Sequence, residues 1–194
     1  MVKRIAVFGS GNGSNFEAIV KYFLNKDKNR ATPYTNPILN KNVEFICISD
    51  KKDSYILERA KKFNIKSYYV PFSETYNFLQ EQKFDLVVLA GYMRILPKEV
   101  IKLAKIINIH PSLLPAFKGK DAIKKAYDAR VKVTGVTVHF VNEEVDSGLI
   151  IAQEPVLIEE NMSISELEEN IHKTEHKLYP LVIDKLIKME VTKS

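Results

Sequence analysis

The sequence predicts one α/β domain, residues 1–194, with a mostly parallel, twisted sheet, helices on both faces and an antiparallel extension near the C-terminus. Two observations support this fold class. Through Ile109, short apolar runs rich in β-branched residues alternate with segments of helical period. Beyond that point, two extended runs, 131–141 and 149–157, flank a turn, which is typical of an antiparallel pair.

Each parallel strand is predicted from an apolar run, and each helix from apolar residues at helical spacing. The predicted strands are 5–8, 43–48, 67–70, 86–90 and 106–109. The predicted helices are 15–24, 54–63, 73–82 and 97–103. Run 86–90 is apolar throughout, so we expect a central strand buried on both faces. Asp53 or Ser54 can cap the second helix, and Pro97 suits the first turn of the fourth. The polar segment 26–42 contains two prolines and is predicted to be a loop of unassigned function.

The C-terminal segment is predicted to be a long helix. Ser163 and Glu166 have the spacing of a capping box, which marks its beginning. The helical pattern continues to about Met189. We expect Pro180 to interrupt it, because proline lacks the N–H that a helix interior requires.

The composition is that of an ordinary globular protein, with 45% hydrophobic residues, 27% charged residues and a net charge of +5. The lysines are scattered, so we predict no nucleic-acid interface, although a mild positive field favours an anionic small substrate. Cys47 is the only cysteine and lies in an apolar run, which predicts a buried thiol and excludes an internal disulfide. We find no signal peptide and no membrane-spanning run, and expect a cytoplasmic monomer or homodimer.

A metal site is not expected. His172 and His176 lie four residues apart on the C-terminal helix, a spacing that can bind metal. No glutamate lies between them in the H-E-x-x-H arrangement, so we interpret the pair as part of a solvated helix face.

The turn after the first strand is predicted to bind an anion. It lies where open parallel sheets bind ligands and where a helix begins, and phosphate is the usual anion there. The dinucleotide fingerprint requires a sixth-position glycine where this chain has Ser14, and no Gly-Lys-Ser/Thr of a P-loop follows. A purely structural turn is the alternative. Asp50, at the end of the second strand, is interpreted as a surface residue that starts a helix rather than as a ribose ligand. The predicted anion ligands are Gly11, Asn12, Gly13, Ser14 and Asn15.

Three polar residues are predicted to meet at the end of a strand. Asn108 and His110 are two residues apart and therefore project from the same face. Asp146 lies in the turn between the two late strands and reaches His110 if that turn folds over the end of the sheet. Such a set suits acyl transfer to an amine: an amide and a charged imidazole stabilise an oxyanion, and the carboxylate orients the imidazole.

The residues alone leave a second interpretation open, in which His110 is a satisfied core residue and Asp146 only shapes a turn. Ser112 is close in sequence, but nothing marks it as a nucleophile, so the attacking amine would come from the substrate. His139 is less promising, because it lies within an alternating strand.

Six motifs, in order across nearly the whole chain, give a more specific indication. They are G-S-G-N-G-S-N at 9–15, A-G-Y-M-R-I-L at 90–96, N-I-H-P-S-L-L-P at 108–115, G-V-T-V-H-F-V at 135–141, V-D-S-G at 145–148 and T-E-H-K-L-Y-P at 174–180. Together they resemble the phosphoribosylglycinamide formyltransferases, the folate-dependent enzymes of purine biosynthesis. The resemblance implies a Rossmann-like formyltransferase fold and formyl transfer from 10-formyltetrahydrofolate, a co-substrate, to the amine of glycinamide ribonucleotide.

The resemblance also implies roles for individual residues. Asn108, His110 and Asp146 match the catalytic positions, and the turn 11–15 matches the site of the ribonucleotide phosphate. Glu175 matches a carboxylate that contacts the ribonucleotide. The folate-binding residues are expected to be Met93, Arg94, Ile95, Leu96, Val141 and Asp146. Residues 1–100 would form the nucleotide-binding half and 101–194 the folate and catalytic half.

The chain departs from the family pattern at three places. Lys118-Gly119 stands where members often have Pro-Gly, within a lysine-rich stretch. The loop 72–75 is shorter than in the family pattern and lacks an arginine that the family often places there. The segment 26–42 is longer than usual.

Three other functions are compatible with parts of the pattern. The formyltransferase of initiator methionyl-tRNA carries a C-terminal tRNA-binding domain, for which this chain has no room. The formyltetrahydrofolate deformylase usually has an N-terminal regulatory domain, whereas strand one here begins at about Lys3. A non-enzymatic nucleotide-binding module would use the turn 11–15 without the catalytic set.

Overall fold

The structure is a computed structural model that describes residues 2–26, 38–40 and 43–191. The chain divides into two compact units, Met1–Ile107 and Asn108–Ser194. Each unit combines strands and helices and has its own set of buried apolar residues.

In the part of the first unit that the structure describes, there are five complete strands and four helices. Its strands are β1 (Lys3–Phe8), β2 (Ile38–Asn40), β3 (Val43–Ser49), β4 (Lys66–Tyr69) and β5 (Leu86–Leu89). Its helices are α1 (Ser14–Lys26), α2 (Tyr55–Lys62), α3 (Thr75–Gln82) and α4 (Lys98–Ile101), with a 3-10 turn at Phe72–Glu74 before α3. β1 pairs in parallel with β3 and β5, and β4 pairs in parallel with β3. β2 pairs with β3 in the antiparallel direction.

The core of the first unit surrounds β1. Residues 5–8 of this strand are buried, and β3 and β5 lie on its two sides. Helix α1 contributes the ring of Phe23, which packs against Phe45 of β3 with ring centroids 5.0 Å apart. Cys47 is fully buried, as predicted, and burial raises the pKa of its thiol to about 12. This thiol therefore contributes to packing rather than to chemistry.

Strand β6 (Ile106–His110) begins in the first unit and ends in the second. The second unit continues with α5 (Ala122–Asp128), β7 (Val133–Phe140), β8 (Ile150–Leu157) and α6 (Ile164–Val191). β7 and β8 are antiparallel, with a register shift between Val138 and His139. Helix α6 packs against both strands, and α5 packs against α6.

The segment after β6 is held by one buried hydroxyl group. Thr137 Oγ1 donates to the carbonyl of Ser112 at 2.7 Å and accepts from the N–H of Leu114 at 3.0 Å. Gln153 on β8 donates to the same hydroxyl at 3.0 Å and to the Leu114 carbonyl at 2.9 Å. These bonds fix the path of the chain as it leaves β6, and the Leu114–Pro115 peptide bond is cis. Ser112 is fully buried and donates to the Ala116 carbonyl at 2.5 Å, so its hydroxyl has a structural role.

The predicted fold class is confirmed. The structure is α/β, with mostly parallel pairings and an antiparallel pair near the C-terminus. The capping box is also confirmed, because Glu166 accepts from the Ser163 backbone N–H at 2.8 Å and its own N–H donates to Ser163 Oγ at 3.3 Å. No helix within the described ranges has an apolar stretch long enough to cross a membrane.

Two local predictions need correction, and two elements were not predicted. Helix α6 continues through Pro180 instead of being interrupted there. Helix α4 is shorter than predicted, and Pro97 is its N-cap. The short strand β2 and the helix α5 were not predicted. The predicted loop 26–42 lies largely outside the described residues.

The close contact at Gly135 leads to a stability prediction. A Cβ atom there would overlap the backbone carbonyl oxygen of Glu154 and lie 2.7 Å from Leu113 Cδ2. We expect Gly135→Ala to lower the free energy of unfolding by about 1–3 kcal/mol, as overpacking does elsewhere. Gly11→Ala is the control, because a Cβ at Gly11 meets no atom within 4 Å. Urea unfolding of both variants measures the difference, and equal stabilities would contradict the packing argument.

Candidate active site

The second unit brings together the three residues predicted to form the catalytic set. Asn108 and His110 lie at the end of β6, and Asp146 lies in the turn between β7 and β8. The Nδ1 atom of His110 is 3.2 Å from Asp146 Oδ2, and both side chains are more than nine-tenths buried. The turn between β7 and β8 therefore brings Asp146 to the His110 imidazole, as predicted.

Both ring nitrogens of His110 face oxygen acceptors. Nε2 donates to the carbonyl oxygen of Phe117 at 2.9 Å, while Nδ1 faces Asp146. A carbonyl oxygen accepts only, and an ionised carboxylate accepts only. The ring form whose N–H groups match both partners is therefore the doubly protonated one. Phe117 adopts a left-handed backbone conformation, with φ of 55°, which is uncommon for an aromatic residue.

The Asp146 carboxylate is stabilised in its ionised form. Burial acts to raise its pKa, but the groups around it outweigh this effect, so the pKa lies below its usual value. These groups are the His139 imidazole, the Gly119 N–H, which donates to Oδ2 at 2.8 Å, and the positive charge of His110. His139 Nε2 lies 3.6 Å from Asp146 Oδ1, which is an ion-pair distance. The hydrogen bond from the Gly119 N–H to the same carboxylate is shorter.

His139 belongs to this cluster, contrary to our interpretation from sequence. It lies on β7 and is only 2% exposed. Its Nδ1 donates to the Phe140 carbonyl at 2.9 Å, so Nε2 accepts from Asn108 when the ring is neutral and donates to Asp146 when the ring is protonated. Nε2 faces the side-chain Nδ2 of Asn108 at 3.4 Å and thereby orients that amide. The sequence contained a signal that could have identified His139. Thr137 and His139 are polar residues two apart on a strand, as Asn108 and His110 are.

The predicted anion-binding turn lies in the first unit, between β1 and α1. Its carbonyl at Gly11 accepts from the Ile56 N–H at 3.1 Å, and its carbonyl at Gly13 accepts from the Glu17 N–H at 3.0 Å. Gly13 has φ of 77°, a conformation that favours glycine. Gly11 and Asn12 are exposed, and the remaining three residues of the turn are half-buried. The turn is thus a rigid, accessible loop that leads into a helix N-terminus.

Asp50 is not the surface residue we expected. Its side chain is fully buried and accepts from Ser10 Oγ at 2.6 Å and from Arg94 Nε at 2.6 Å. Burial acts to raise its pKa, but the Ser10 and Arg94 bonds lower it further than burial raises it. Ser10 Oγ also accepts from the Met93 N–H at 2.9 Å. This network joins the residue before the glycine turn to the segment that the family resemblance assigns to folate.

That segment, Met93–Leu96, presents apolar side chains to solvent. Met93 is 74% exposed and Ile95 is 73% exposed, whereas Leu96 is buried. The Arg94 guanidinium is anchored by Asp50 and lies over the ring of Phe72, 5.8 Å from its centroid. Phe72 lies in the shortened loop where the expected arginine is missing, so here an aromatic ring, rather than a second cation, accompanies Arg94.

Glu175 and Val141 lie in the second unit. Glu175, on α6, is 5% exposed, and its Oε2 is 3.0 Å from His172 Nδ1. This contact raises the pKa of His172, whose side chain is about half exposed. Val141 follows β7 and is half-buried. No group of three or more metal-ligating side chains occurs within the described ranges.

A comparison with protein families shows the family to which the chain belongs. The sequence model described as formyl transferase matches residues 3–183.

The chain belongs to the formyl transferase family.

Similar proteins narrow the resemblance within that family. The phosphoribosylglycinamide formyltransferase of Bacillus subtilis is 41% identical, over 96% of this chain and 95% of its own. The protein of that name from Haemophilus influenzae is 40% identical, over 94% of this chain and 86% of its own. The crystal structure of the Bacillus halodurans protein has a TM-score of 0.80 at 40% identity and covers 95% of each chain. The resemblance inferred from the motifs is confirmed, and the protein is a formyl transferase enzyme.

The low pKa of Asp146 predicts a pH dependence of stability in this formyltransferase. A carboxylate whose pKa is lower in the folded than in the unfolded chain stabilises the fold above the unfolded value of about 3.9. That contribution is lost as the pH falls through the folded-state pKa. We therefore expect Asp146→Asn to be less stable than the wild type at pH 7, with a gap that narrows toward pH 3. Urea unfolding from pH 7 to pH 3 measures the gap.

The exposed Asp53 provides the matched control for this measurement. Asp53→Asn should follow the wild-type stability at each pH. A gap for Asp146→Asn that stays constant or widens under acid would contradict the assignment of Asp146 as an ionised, stabilised carboxylate.

Proposed function

We propose that this enzyme transfers the formyl group of 10-formyltetrahydrofolate to the amine of glycinamide ribonucleotide. The family membership and the names of the full-length relatives support this function. The observation that carries it is the buried contact between His110 and an ionised Asp146, with the Asn108 amide at the end of the same strand. These groups suit stabilisation of an oxyanion during attack by an amine.

In this proposal, His110 is the charged donor to the oxyanion. Its Nδ1–H stays on Asp146, which fixes the ring orientation. Its Nε2–H, which donates to the Phe117 carbonyl, is the donor available to the reacting formyl oxygen. A developing oxyanion is a stronger acceptor than a backbone carbonyl. When the Nε2–H leaves the Phe117 carbonyl and donates to the oxyanion, it therefore stabilises the transition state more than the ground state.

Asn108 supplies the second donor. One hydrogen of its Nδ2 is directed to His139 Nε2, which leaves the other for the oxyanion. The His139 ring is itself held by the Phe140 carbonyl, so the orientation of the Asn108 amide does not depend on bound substrate. Removal of one such donor typically costs roughly 2.7–4 kcal/mol of transition-state stabilisation.

The reaction requires no enzyme nucleophile. The substrate amine resembles an α-amino group, with a reference pKa near 8, so a useful fraction is neutral at pH 7. Its nitrogen forms a bond to the formyl carbon, and the carbonyl electron pair moves to oxygen. The tetrahedral intermediate then expels the folate N10. The proton lost by the amine passes to that departing nitrogen, through water oriented by Asp146.

Binding residues complete the proposal. The N–H groups of the turn 11–15 bind the ribonucleotide phosphate, and Glu175 accepts from hydroxyl or amide groups of the same substrate. In the first unit, the exposed side chains of Met93 and Ile95 offer apolar surface to the pterin, and backbone groups around Arg94 and the side chain of Leu96 are further folate-binding groups of this proposal. In the second unit, the proposal assigns Val141 to the folate as well. The first half of the chain thus serves mainly the phosphate, and the second half mainly the chemistry.

A direct assay tests the proposed function. The enzyme is incubated with 10-formyltetrahydrofolate, with and without glycinamide ribonucleotide, and the folate absorbance is followed. We expect a change that depends on the amine substrate and yields formylated product. A change without that substrate would identify a hydrolase of the formyl donor, and no change in either mixture would leave a binding protein.

Variants of the catalytic set give a second prediction. We expect His110→Ala and Asp146→Asn each to lower kcat at least about a hundredfold, since each disrupts oxyanion stabilisation. Circular dichroism should show that both variants remain folded at the assay temperature. Asp53→Asn, which changes an exposed carboxylate in the same way, should keep wild-type turnover. Near-normal kcat in both His110→Ala and Asp146→Asn would remove these residues from the mechanism.

A further inference from the structure

We propose that Arg59 is a positioning residue that orients Asn12, so that within the turn 11–15 this residue presents only N–H donors to the substrate phosphate. This inference rests on the proposed function, which places the phosphate at that turn. Arg59 lies on α2 and not on the turn itself. Its guanidinium contacts the turn at Asn12 and the first turn of α1 at Glu17.

One guanidinium group binds both oxygens of Asn12. Arg59 Nε donates to the Asn12 backbone carbonyl at 2.8 Å, and Nη2 donates to the side-chain Oδ1 at 2.5 Å. The third nitrogen, Nη1, pairs with the Glu17 carboxylate. The planar fork of arginine suits this arrangement, whereas a single ammonium group cannot reproduce its geometry.

The backbone contacts fix the direction of two N–H groups. The carbonyl of Gly11 is held by the Ile56 N–H at 3.1 Å, and the carbonyl of Asn12 is held by Arg59. A trans peptide unit is planar, so its N–H points opposite to its C=O. The N–H groups of Asn12 and Gly13 therefore point away from α2. Among the described residues, neither N–H has a hydrogen-bond acceptor.

The left-handed conformation of Gly13 completes this geometry. Its φ of 77° turns successive N–H groups toward one side, as in the concave backbone sites that bind anions. A Cβ on Gly13 would lie 2.6 Å from Ile56 Cγ1, so α2 also packs tightly against the turn. Helix α2 thus holds the turn through Ile56 packing, the Ile56 N–H and the Arg59 fork.

The side chain of Asn12 is oriented by the same contact. A side-chain amide that rotates freely can present either its oxygen or its NH2 group to a ligand. Because Oδ1 is engaged by Arg59, only the NH2 group of Asn12 is available to an anion. A phosphate therefore meets backbone and side-chain donors without an opposing carbonyl dipole.

Position, rather than net charge, is the contribution of Arg59. The paired Glu17 carboxylate offsets its charge, and Lys21 also contacts Glu17 at 2.5 Å. Lys61 lies on the same helix and carries the same charge, but it pairs with Glu58 at 2.7 Å. Lys61 therefore provides a matched control for the loss of one cation from α2.

Binding of inorganic phosphate tests the inference independently of catalysis. The dissociation constant is measured by calorimetric titration for the wild type, Arg59→Met, Arg59→Lys and Lys61→Met. We expect about tenfold or greater weakening in both Arg59 variants, since each loses the fork that orients Asn12, and little change in Lys61→Met. Phosphate binding at wild-type strength in Arg59→Lys would show that charge suffices and would overturn the inference. Absence of phosphate binding by the wild type would overturn it as well.

Steady-state kinetics distinguish positioning from a general structural role. We expect the KM for glycinamide ribonucleotide to rise about tenfold or more in both Arg59 variants, with kcat and the KM for 10-formyltetrahydrofolate within about twofold. Equal changes in both KM values would contradict a role at the phosphate. If Arg59→Met fails to fold, Arg59→Lys, which keeps the charge opposite Glu17, supplies the decisive comparison. Weakened phosphate binding in the Arg59 variants of an enzyme that does not formylate the ribonucleotide would reject the proposed function but retain this inference.

Discussion

The buried contact between Asp146 and His110 is the constraint on which the catalytic end of β6 depends. A carboxylate removed from water needs compensating donors, or it becomes protonated. Here the donors are the His110 ring and the Gly119 N–H, and they come from two different segments. The ionised carboxylate thus holds the turn that carries it, the strand end and the loop after β6 in one arrangement. The same carboxylate fixes the orientation of the His110 ring that the proposed reaction uses.

Around this contact, backbone carbonyls rather than further side chains set the orientation of each functional ring. Phe117 accepts from His110, and Phe140 accepts from His139. The path of the chain toward Phe117 is in turn fixed by Thr137 and Gln153, through bonds to the segment after β6. A backbone acceptor has few alternative positions once its strand is paired, so it limits ring rotation more than a mobile side chain would. This arrangement agrees with the need to hold reacting groups in place before the chemical step.

The sequence predicted the parts of the site that depend on simple periodicity. Asn108 and His110 follow from the two-residue period of a strand, and the turn 11–15 follows from its glycines before a helix. His139 was missed because the alternating pattern suggested that one face of the strand is exposed to solvent. In the structure, both faces of β7 are buried over most of its length. Asp50 was misinterpreted because it was compared with the ribose position of a different motif, although its carboxylate bonds to neighbours far away in sequence. Helix α5 was missed because its lysines concealed two buried alanines, Ala122 and Ala126, one helical turn apart.

Lys118 stands where the family resemblance leads us to expect proline, and this lysine is compatible with the proposed mechanism on physical grounds. What the site takes from this loop is the Gly119 N–H, which donates to Asp146, and Gly119 adopts φ of 79°, which favours glycine. A residue at position 118 affects that bond only through the backbone conformation. In this chain the backbone is held from outside, because Lys125 Nζ donates to the Lys118 carbonyl at 3.2 Å. The Lys118 ammonium lies 3.6 Å from the exposed Glu144, a pair that contributes little energy in water. Lysine restricts the backbone less than proline does. In this chain, the contact from Lys125 on helix α5 restrains the peptide unit between residues 118 and 119 instead.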